Sequence, residues 1–405
     1  MVSSRFLVLG AGITGRAVSE FFLKREIDFR VSSLSKIDSE FKEKLSAQGI
    51  SFEEGKHSLD WFEWADYVVL SPSVRKDRLP QWIQSRCISE LDLAQEFFAG
   101  KIVAITGTNG KTTTVSMLAH VLSSTGVKVV ACGNIGLPFI SVVDQEVDAV
   151  VVEVSSFQLF NSSRFRPDLF AVLNITPDHL DWHSSLEEYA LSKLSPIRRI
   201  SSAREVFLNR DSALISTYYS GPANWFSGGD NEDEACVYAI CEAMGIGKEQ
   251  ITNALRTFSP PHHRISFVAE GKGLVFLNDS KSTNPASTFW ALKRLSVKGI
   301  RGKVVLLCGG KGKGFEYSSI LNYKHMLRGI VGFGEEGPNI VSQLSDVPGW
   351  IAPDLEHAFD TAVRIAELGD VVLLSPMCAS FDQYANYEER GEHFEKLVLS
   401  FLRSQ

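Results

Sequence analysis

The chain has 405 residues, too many for one ordinary domain, and 44% of them are hydrophobic, enough for full cores in two or three domains. A formal net charge of −7 argues against nucleic acid as the main partner, while local basic pockets can still hold a phosphorylated substrate. Cys87, Cys132, Cys236, Cys241, Cys308 and Cys378 stand apart with no Cys-x-x-Cys pair, which predicts a reduced, cytoplasmic protein without a structural zinc site. The first ten residues lack the apolar core of a signal peptide, and no apolar run approaches a membrane span, so no membrane partner is expected.

The first segment runs to about residue 96. Arg5-Phe6-Leu7-Val8-Leu9 reads as a strand, followed by Gly10-Ala11-Gly12-Ile13-Thr14-Gly15. A helix with apolar spacing at Ala17, Val18, Phe21 and Phe22 comes next, then a second strand, Phe29-Arg30-Val31. This is the Gly-x-Gly-x-x-Gly unit of a dinucleotide-binding fold. Ser32 and Ser33 occupy the place where an acid would hold a ribose diol, which disfavours a nicotinamide dinucleotide. The same loop can hold another nucleotide diphosphate. A third strand, Tyr67-Val68-Val69-Leu70, ends at Ser71-Pro72; on composition alone Ser71 is a turn residue.

The second segment, 97–259, opens on the most informative stretch, Ala104-Ile105-Thr106-Gly107-Thr108-Asn109-Gly110-Lys111-Thr112-Thr113. A β-branched run precedes it and a helical pattern, Thr113 to Ser123, follows. Strand, glycine-rich loop and helix present backbone N–H groups and a positive helix end to an anion. Lys111 adds a mobile cation for the β- and γ-phosphates, and the Thr112 hydroxyl can ligate Mg²⁺, so the loop predicts ATP binding. Its spacing departs from the usual pattern, with two residues rather than four between Gly107 and Gly110. Further strands are expected at Val127–Ala131, Asp148–Val154 and Leu169–Asn174, forming a buried parallel sheet. Glu153 is a carboxylate in an apolar strand, where it must hold a metal or form an ion pair. Thr176-Pro177-Asp178-His179-Leu180-Asp181 follows another strand; alone, Asp178 reads equally as an N-cap and His179 as a packed histidine, but the strand edge they share with Glu153 and Lys111 favours the site.

The third segment, 260–405, begins with a linker signal, Pro260-Pro261, before His262-His263-Arg264. Strands Leu274–Leu277, Lys303–Cys308 and Asp370–Leu374 each end in a polar, glycine-rich or basic loop. These loops are Asn278 to Asn284, Gly309-Gly310-Lys311-Gly312-Lys313-Gly314, and Ser375 to Asp382. Gly-Lys loops are either solvated connections or, at strand ends, seats for an anionic substrate.

The combination Gly107 to Thr112, Glu153-Val154-Ser155-Ser156-Phe157-Gln158 and Asp178-His179-Leu180-Asp181 resembles the Mur ligases of peptidoglycan synthesis, whose relatives include the folylpolyglutamate synthases. Gly133 to Pro138, Asn278 to Asn284 and Ser375 to Tyr384 resemble the branch that adds D-glutamate, and the likeness spans all three segments. The fold it implies is α/β in three domains: a Rossmann-like N-terminal domain (1–96), a central P-loop ATPase-type parallel-sheet domain (97–259) and a C-terminal Rossmann-like α/β domain (260–405). The activity it implies is ATP-dependent joining of UDP-N-acetylmuramoyl-L-alanine and D-glutamate through an acyl phosphate, by a cytoplasmic monomer.

The resemblance also assigns residues. Ile13, Thr14, Ser33 and Ser71 would contact the UDP group, although the family often carries Asp and Arg where this chain has Ser32 and Leu34. Gly107, Thr108, Asn109, Gly110, Lys111, Thr112 and Thr113 would cradle ATP, with Arg264 reaching its phosphates from the hinge. One Mg²⁺ would sit at Thr112 and Glu153. A second would sit at His179 and Lys193, the lysine modified to a carbamate; from the sequence alone Lys193 reads as an exposed helix residue. Asn134 and Gln158 would contact the muramoyl substrate. Lys281, Thr283, Lys313, Ser380, Phe381 and Tyr387 would capture D-glutamate. Near the adenine the family usually carries Gly-x-His-Asn-x-x-Asn; here Gly229-Asp230-Asn231-Glu232-Asp233-Glu234 retains Asn231 alone of the three polar positions. Two rival readings are a related ligase of another amino-acid or folate specificity, and a non-catalytic nucleotide-binding regulator.

Overall fold

Three sheets organise the chain in a computed structural model that describes residues 4–229, 231–259 and 262–404. Asp230 and the Pro260-Pro261 pair therefore lie outside the described residues. Two compact units form, Met1–Phe258 and Ser259–Gln405.

The first unit holds two parallel sheets. Strands β1 (Phe6–Leu9), β2 (Phe29–Ser33), β3 (Phe52–Glu54), β4 (Tyr67–Leu70) and β5 (Cys87–Ser89) lie in the order β3-β2-β1-β4-β5. The chain order reverses between β1 and β4, the position where open α/β sheets take ligands. Strands β6 (Lys101–Thr106), β7 (Val129–Gly133), β8 (Ala149–Glu153), β9 (Leu169–Val172), β10 (Val206–Asn209) and β11 (Asn224–Phe226) form the second sheet, β11-β10-β9-β6-β8-β7. Its central strands have apolar interiors because helices cover both faces; Val103, Val150, Val151 and Val152 are fully buried. In the second unit, β12 (Ser266–Gly271), β13 (Leu274–Asn278), β14 (Val304–Gly309), β15 (Leu327–Phe333), β16 (Gly349–Ala352) and β17 (Val371–Met377) lie in the order β12-β13-β17-β14-β15-β16. This sheet is mixed. The edge strand β12 runs antiparallel to β13, and the other pairs are parallel.

Element ends shift by one to three residues from the sequence expectations. The helix after the glycine-rich loop spans Lys111–Ser124, so Lys111 and Thr112 form its first turn. The strand expected at Val127–Ala131 is Val129–Gly133, and the one expected to Asn174 stops at Val172, which leaves Asn174 on the loop. Strands β3, β5 and β11 have three residues each, too few for a periodic signal.

A buried carboxylate couples the two sheets of the first unit. Asp92, on the helix Glu90–Gln95, caps its own helix with Ser89. It also accepts from the backbone N–H groups of Ser163, Arg164 and Phe165 and from the Ser162 hydroxyl, all on the approach to β9. Its neighbour Glu90 is 2% exposed, and Oε1 accepts from the Ile140 N–H at 2.6 Å while Oε2 has no hydrogen-bond partner. Burial, with Asp92 nearby, pushes the Glu90 carboxyl up to about 7 from an ordinary 4.5. The folded state thus favours the protonated acid, so the group supports the fold fully below pH 4.5 and loses that support as pH rises through 7. Glu90→Gln is expected to stabilise the protein at pH 8 by up to about 3 kcal/mol and to make no difference near pH 4. Denaturant melts across this range check it; a constant offset would remove the titration from Glu90.

All six cysteines are buried and free, and burial pushes each thiol upward. No described helix is long and apolar enough to cross a membrane.

Candidate active site

The glycine-rich loop is held from three directions. Gly110 has φ +82°, and a Cβ there would stand 2.5 Å from Asp233 Oδ1, so only glycine fits. Asn174 Oδ1 accepts from the N–H groups of Thr108 (3.1 Å) and Asn109 (2.9 Å), and its Nδ2 donates to Glu232 Oε1 at 2.6 Å. Glu232 is also tied to Asn209 at the end of β10, at 3.1 Å. Thr108 Oγ1 donates to the Thr176 carbonyl and meets the Tyr189 hydroxyl at 2.9 Å. Lys111 Nζ folds back over the loop, donating to the carbonyls of Gly107 (2.8 Å) and Thr108 (2.9 Å). Thr113 is buried in the first helical turn behind them.

Glu153 closes β8 beside this loop. It is 2% exposed; Oε2 accepts from the Thr112 hydroxyl at 2.8 Å and Oε1 from Asn134 Nδ2 at 2.9 Å. Both donors are neutral, and among the described residues no ion pair forms, so its charge remains available to a cation. Lys193, on the helix Leu186–Leu194, is 2% exposed and donates from Nζ to the Gly107 carbonyl at 2.7 Å. Burial and the nearby Lys111 charge hold its amine well below the usual lysine range. His179 adopts φ +55°, a left-handed conformation that costs a histidine energy, with Nε2 3.7 Å from Asp178 Oδ2 and its ring against Phe157 at 4.7 Å. Lys111, Thr112, Glu153 and Lys193 thus converge on one loop, at the C-terminal edge of the sheet.

The first sheet presents its own edge. Gly10 has φ +99°, and a Cβ there would meet Ser71 Oγ at 2.5 Å, while a Cβ on Gly15 would collide with the Gly10 carbonyl. The loop therefore needs glycine at both places. Ile13 and Leu34 are exposed there at 75% and 65%, Thr14 is half-buried and Ser33 is buried. Ser32 is used internally, bonded to Glu53 at 2.8 Å and His57 at 2.6 Å.

In the second unit, Lys281 Nζ lies 5.0 Å over the Tyr387 ring, and Lys313 Nζ 5.8 Å over Phe315. Ser380 is buried, Thr283 half-buried and Phe381 68% exposed. Beside Arg264 the Asp279 carboxyl is buried and pushed up to about 7, against the opposing pull of Ser375 Oγ at 2.8 Å and the Arg264 charge.

The profile of the MurD-like N-terminal domain of Mur ligases matches residues 4–84, that of the Mur ligase middle domain 105–256, and that of the Mur ligase glutamate ligase domain 263–378. The UDP-N-acetylmuramoylalanine–D-glutamate ligase of Pseudothermotoga lettingae is 36% identical over 425 residues, covering 97% of each chain. That of Acidobacterium capsulatum is 34% identical over 449 residues, covering 98% of this chain and 96% of its own. The chain belongs to the Mur ligase family, on its MurD branch. Solved structures share the fold: MurF from Thermotoga maritima in complex with ADP, at 15% identity and a TM-score of 0.62, covers 92% of this chain and 96% of that one. MurC from the same organism, at 18% identity and a TM-score of 0.59, covers 98% and 100%.

One sequence expectation needs correction in this Mur ligase, and one of two open alternatives is excluded. Lys193 is buried, because the turn Tyr189–Lys193 faces the glycine-rich loop; Tyr189 four residues earlier already marks that face as interior. Asp178 is not a helix N-cap, since the helix that follows is capped by Ser185 and Asp178 Oδ1 accepts from the adjacent His179 N–H. Two expected contacts also serve local structure. Gln158 completes a capping box with Ser155, and Asn231 caps the helix Glu232–Ala243. Sequence reasoning missed Asn174, Glu232 and Arg75. Arg75 is 6% exposed, pairs with Asp77 and Glu188 and packs on the Phe160 and Trp182 rings, joining the loop after β4 to the Lys193 helix.

Proposed function

We propose that this chain joins D-glutamate to the L-alanine carboxylate of UDP-N-acetylmuramoyl-L-alanine at the expense of ATP, in the cytoplasm, where free buried thiols belong. The observation that carries the reading is the convergence of Lys111, Thr112, Glu153 and Lys193 on the Gly107–Gly110 loop.

A carboxylate is a poor electrophile, so activation comes first. A carboxylate oxygen of the substrate attacks the γ-phosphorus of ATP; the new O–P bond forms as the bond to the β-phosphate oxygen breaks, and ADP departs. Backbone N–H groups at the start of the helix Lys111–Ser124 and the Lys111 ammonium face the charge that spreads over the phosphoryl oxygens. The amine of D-glutamate then attacks the acyl carbon, loses a proton, and expels phosphate as the C–N bond replaces the C–O bond. Ile13 and Leu34 offer apolar surface to the uracil, with Thr14, Ser33 and Ser71 beside it; Asn134 and Gln158 take the muramoyl part. Asn231 and Arg264 contact ATP, and Lys281, Thr283, Lys313, Ser380, Phe381 and Tyr387 hold the amino acid.

The hard oxygen donors Thr112 and Glu153 fit one Mg²⁺, and His179 with a carbamylated Lys193 fits a second. Bound there, the ions would neutralise phosphate and acyl oxygens. Burial holds the Lys193 amine well below the usual lysine range and so favours the form with the lone pair that carbamylation requires, which supports the assignment of Lys193.

Phosphate release tests the reaction, with ATP, Mg²⁺ and UDP-N-acetylmuramoyl-L-alanine present and D-glutamate added or withheld. Release that requires D-glutamate and fails with L-glutamate is expected. Release with a different amino acid would keep the chemistry and replace the substrate.

A further inference from the structure

Arg390 is the largest fully buried side chain among the described residues, at 0% exposure on the helix Tyr387–Arg403. A buried guanidinium normally faces a carboxylate. This one faces a hydroxyl and three carbonyls: Nε donates to Ser280 Oγ (3.1 Å), Nη2 to the Ser280 carbonyl (2.8 Å), and Nη1 to the carbonyls of Cys378 (3.1 Å) and Ala379 (3.3 Å). Ser280 Oγ in turn donates to the Tyr387 carbonyl at 2.8 Å. A third loop closes on the same group. Gly310, at φ +124°, passes so near that a Cβ would lie 3.0 Å from Nη1 and 2.3 Å from the Ala379 carbonyl, which also accepts from the Lys311 N–H at 2.9 Å. The loops after β13, β14 and β17 therefore wind around one cation. Packing alone does not call for a charge here, because burying it without a direct ion pair is costly, and Asp382 acts on it only through space. Burial pulls the guanidinium down to about 10, which still leaves it protonated at neutral pH.

We propose that Arg390 is a positioning residue that fixes these three loops in one arrangement and so shapes the seat of the carboxylate-bearing amino acid; this rests on the ligase reading above. The planar fork is what the geometry uses, since four acceptors on two loops meet three nitrogens of one rigid group. The stored positive charge also favours a dicarboxylate over a neutral amino acid in the same seat.

Arg390→Lys keeps the charge and loses the fork; Arg390→Met loses both. Hydrogen exchange on the full chain, without substrates, is the first readout. Folded Arg390→Lys protein is expected to exchange about tenfold faster in residues 278–283, 309–313 and 378–382 together, with the core strands β14 and β17 still protected. In ligation assays its KM for D-glutamate rises about tenfold or more while its KM for ATP stays within about twofold, and Arg390→Met is weaker still. Unchanged exchange in the three loops, or a change in one alone, would overturn the proposal. So would equal increases in both KM values, the mark of a generally loosened protein. Wild-type protein that makes no amide with D-glutamate would instead defeat the ligase reading, and the exchange data would still decide whether Arg390 orders the loops.

Discussion

Glu153→Ala protein is expected to fold and to lose ligation by about 10³-fold or more. Its carboxylate is buried at the end of β8 between the neutral donors Thr112 and Asn134. Alanine leaves the Thr112 hydroxyl without this acceptor, a loss of about 1–3 kcal/mol, offset by removing a buried charge. Stability therefore changes little in a strand whose other side chains are fully packed. Turnover changes greatly, because the charge at the phosphate loop is gone while ATP still meets the backbone donors. Lys111→Ala is expected to cost as much, since its ammonium sits over the carbonyls of Gly107 and Thr108, where the proposed reading seats the phosphates. Phosphate release and a thermal melt on each variant check both statements. An active, folded Glu153→Ala protein would sink the metal assignment.

Lys193→Ala should lose about 10²- to 10³-fold in turnover with a cooperative melt retained. The amine sits against the Gly107 carbonyl, inside the protein and close to Lys111, and burial and that charge hold it well below the usual lysine range. A neutral amine adds to the carbon of CO₂ and releases one proton, exchanging a neutral group for an anion beside the Gly107–Gly110 loop. Wild-type protein supplied with ¹³C-bicarbonate should show a carbamate resonance that the alanine variant lacks. The expected pH response has a definite sign: acidification protonates the amine and reverses the modification, so the signal and the activity fall together. Full activity in Lys193→Ala protein would remove the residue from the reaction.

The parts of the site that read clearly from the sequence are those encoded by adjacent residues. Gly107 to Thr112 form a contiguous loop, and Glu153 betrays itself as a charge in a run of valines. Asn174 and Glu232 were illegible because their bond joins residues 58 apart in sequence, and only the order β10-β9-β6 brings them to the loop. Arg390 follows Glu388 and Glu389 and reads as one more surface charge on a helix. Its burial arises where the loops after β13, β14 and β17 meet, a tertiary fact. The mixed edge of the third sheet was hidden for another reason: β12 has no fully buried residue and no two-residue alternation, so it does not register as a strand beside β13.

The shielding of the six native thiols has a practical consequence. A cysteine placed at Glu43 or Asp360, both exposed, is the fast-reacting thiol toward a maleimide dye in the folded protein. Fluorescent or spin labels can thus be attached without first stripping out the native sulfur atoms. The slow uptake of label by the remaining six then serves as a clock for the opening of each hydrophobic core.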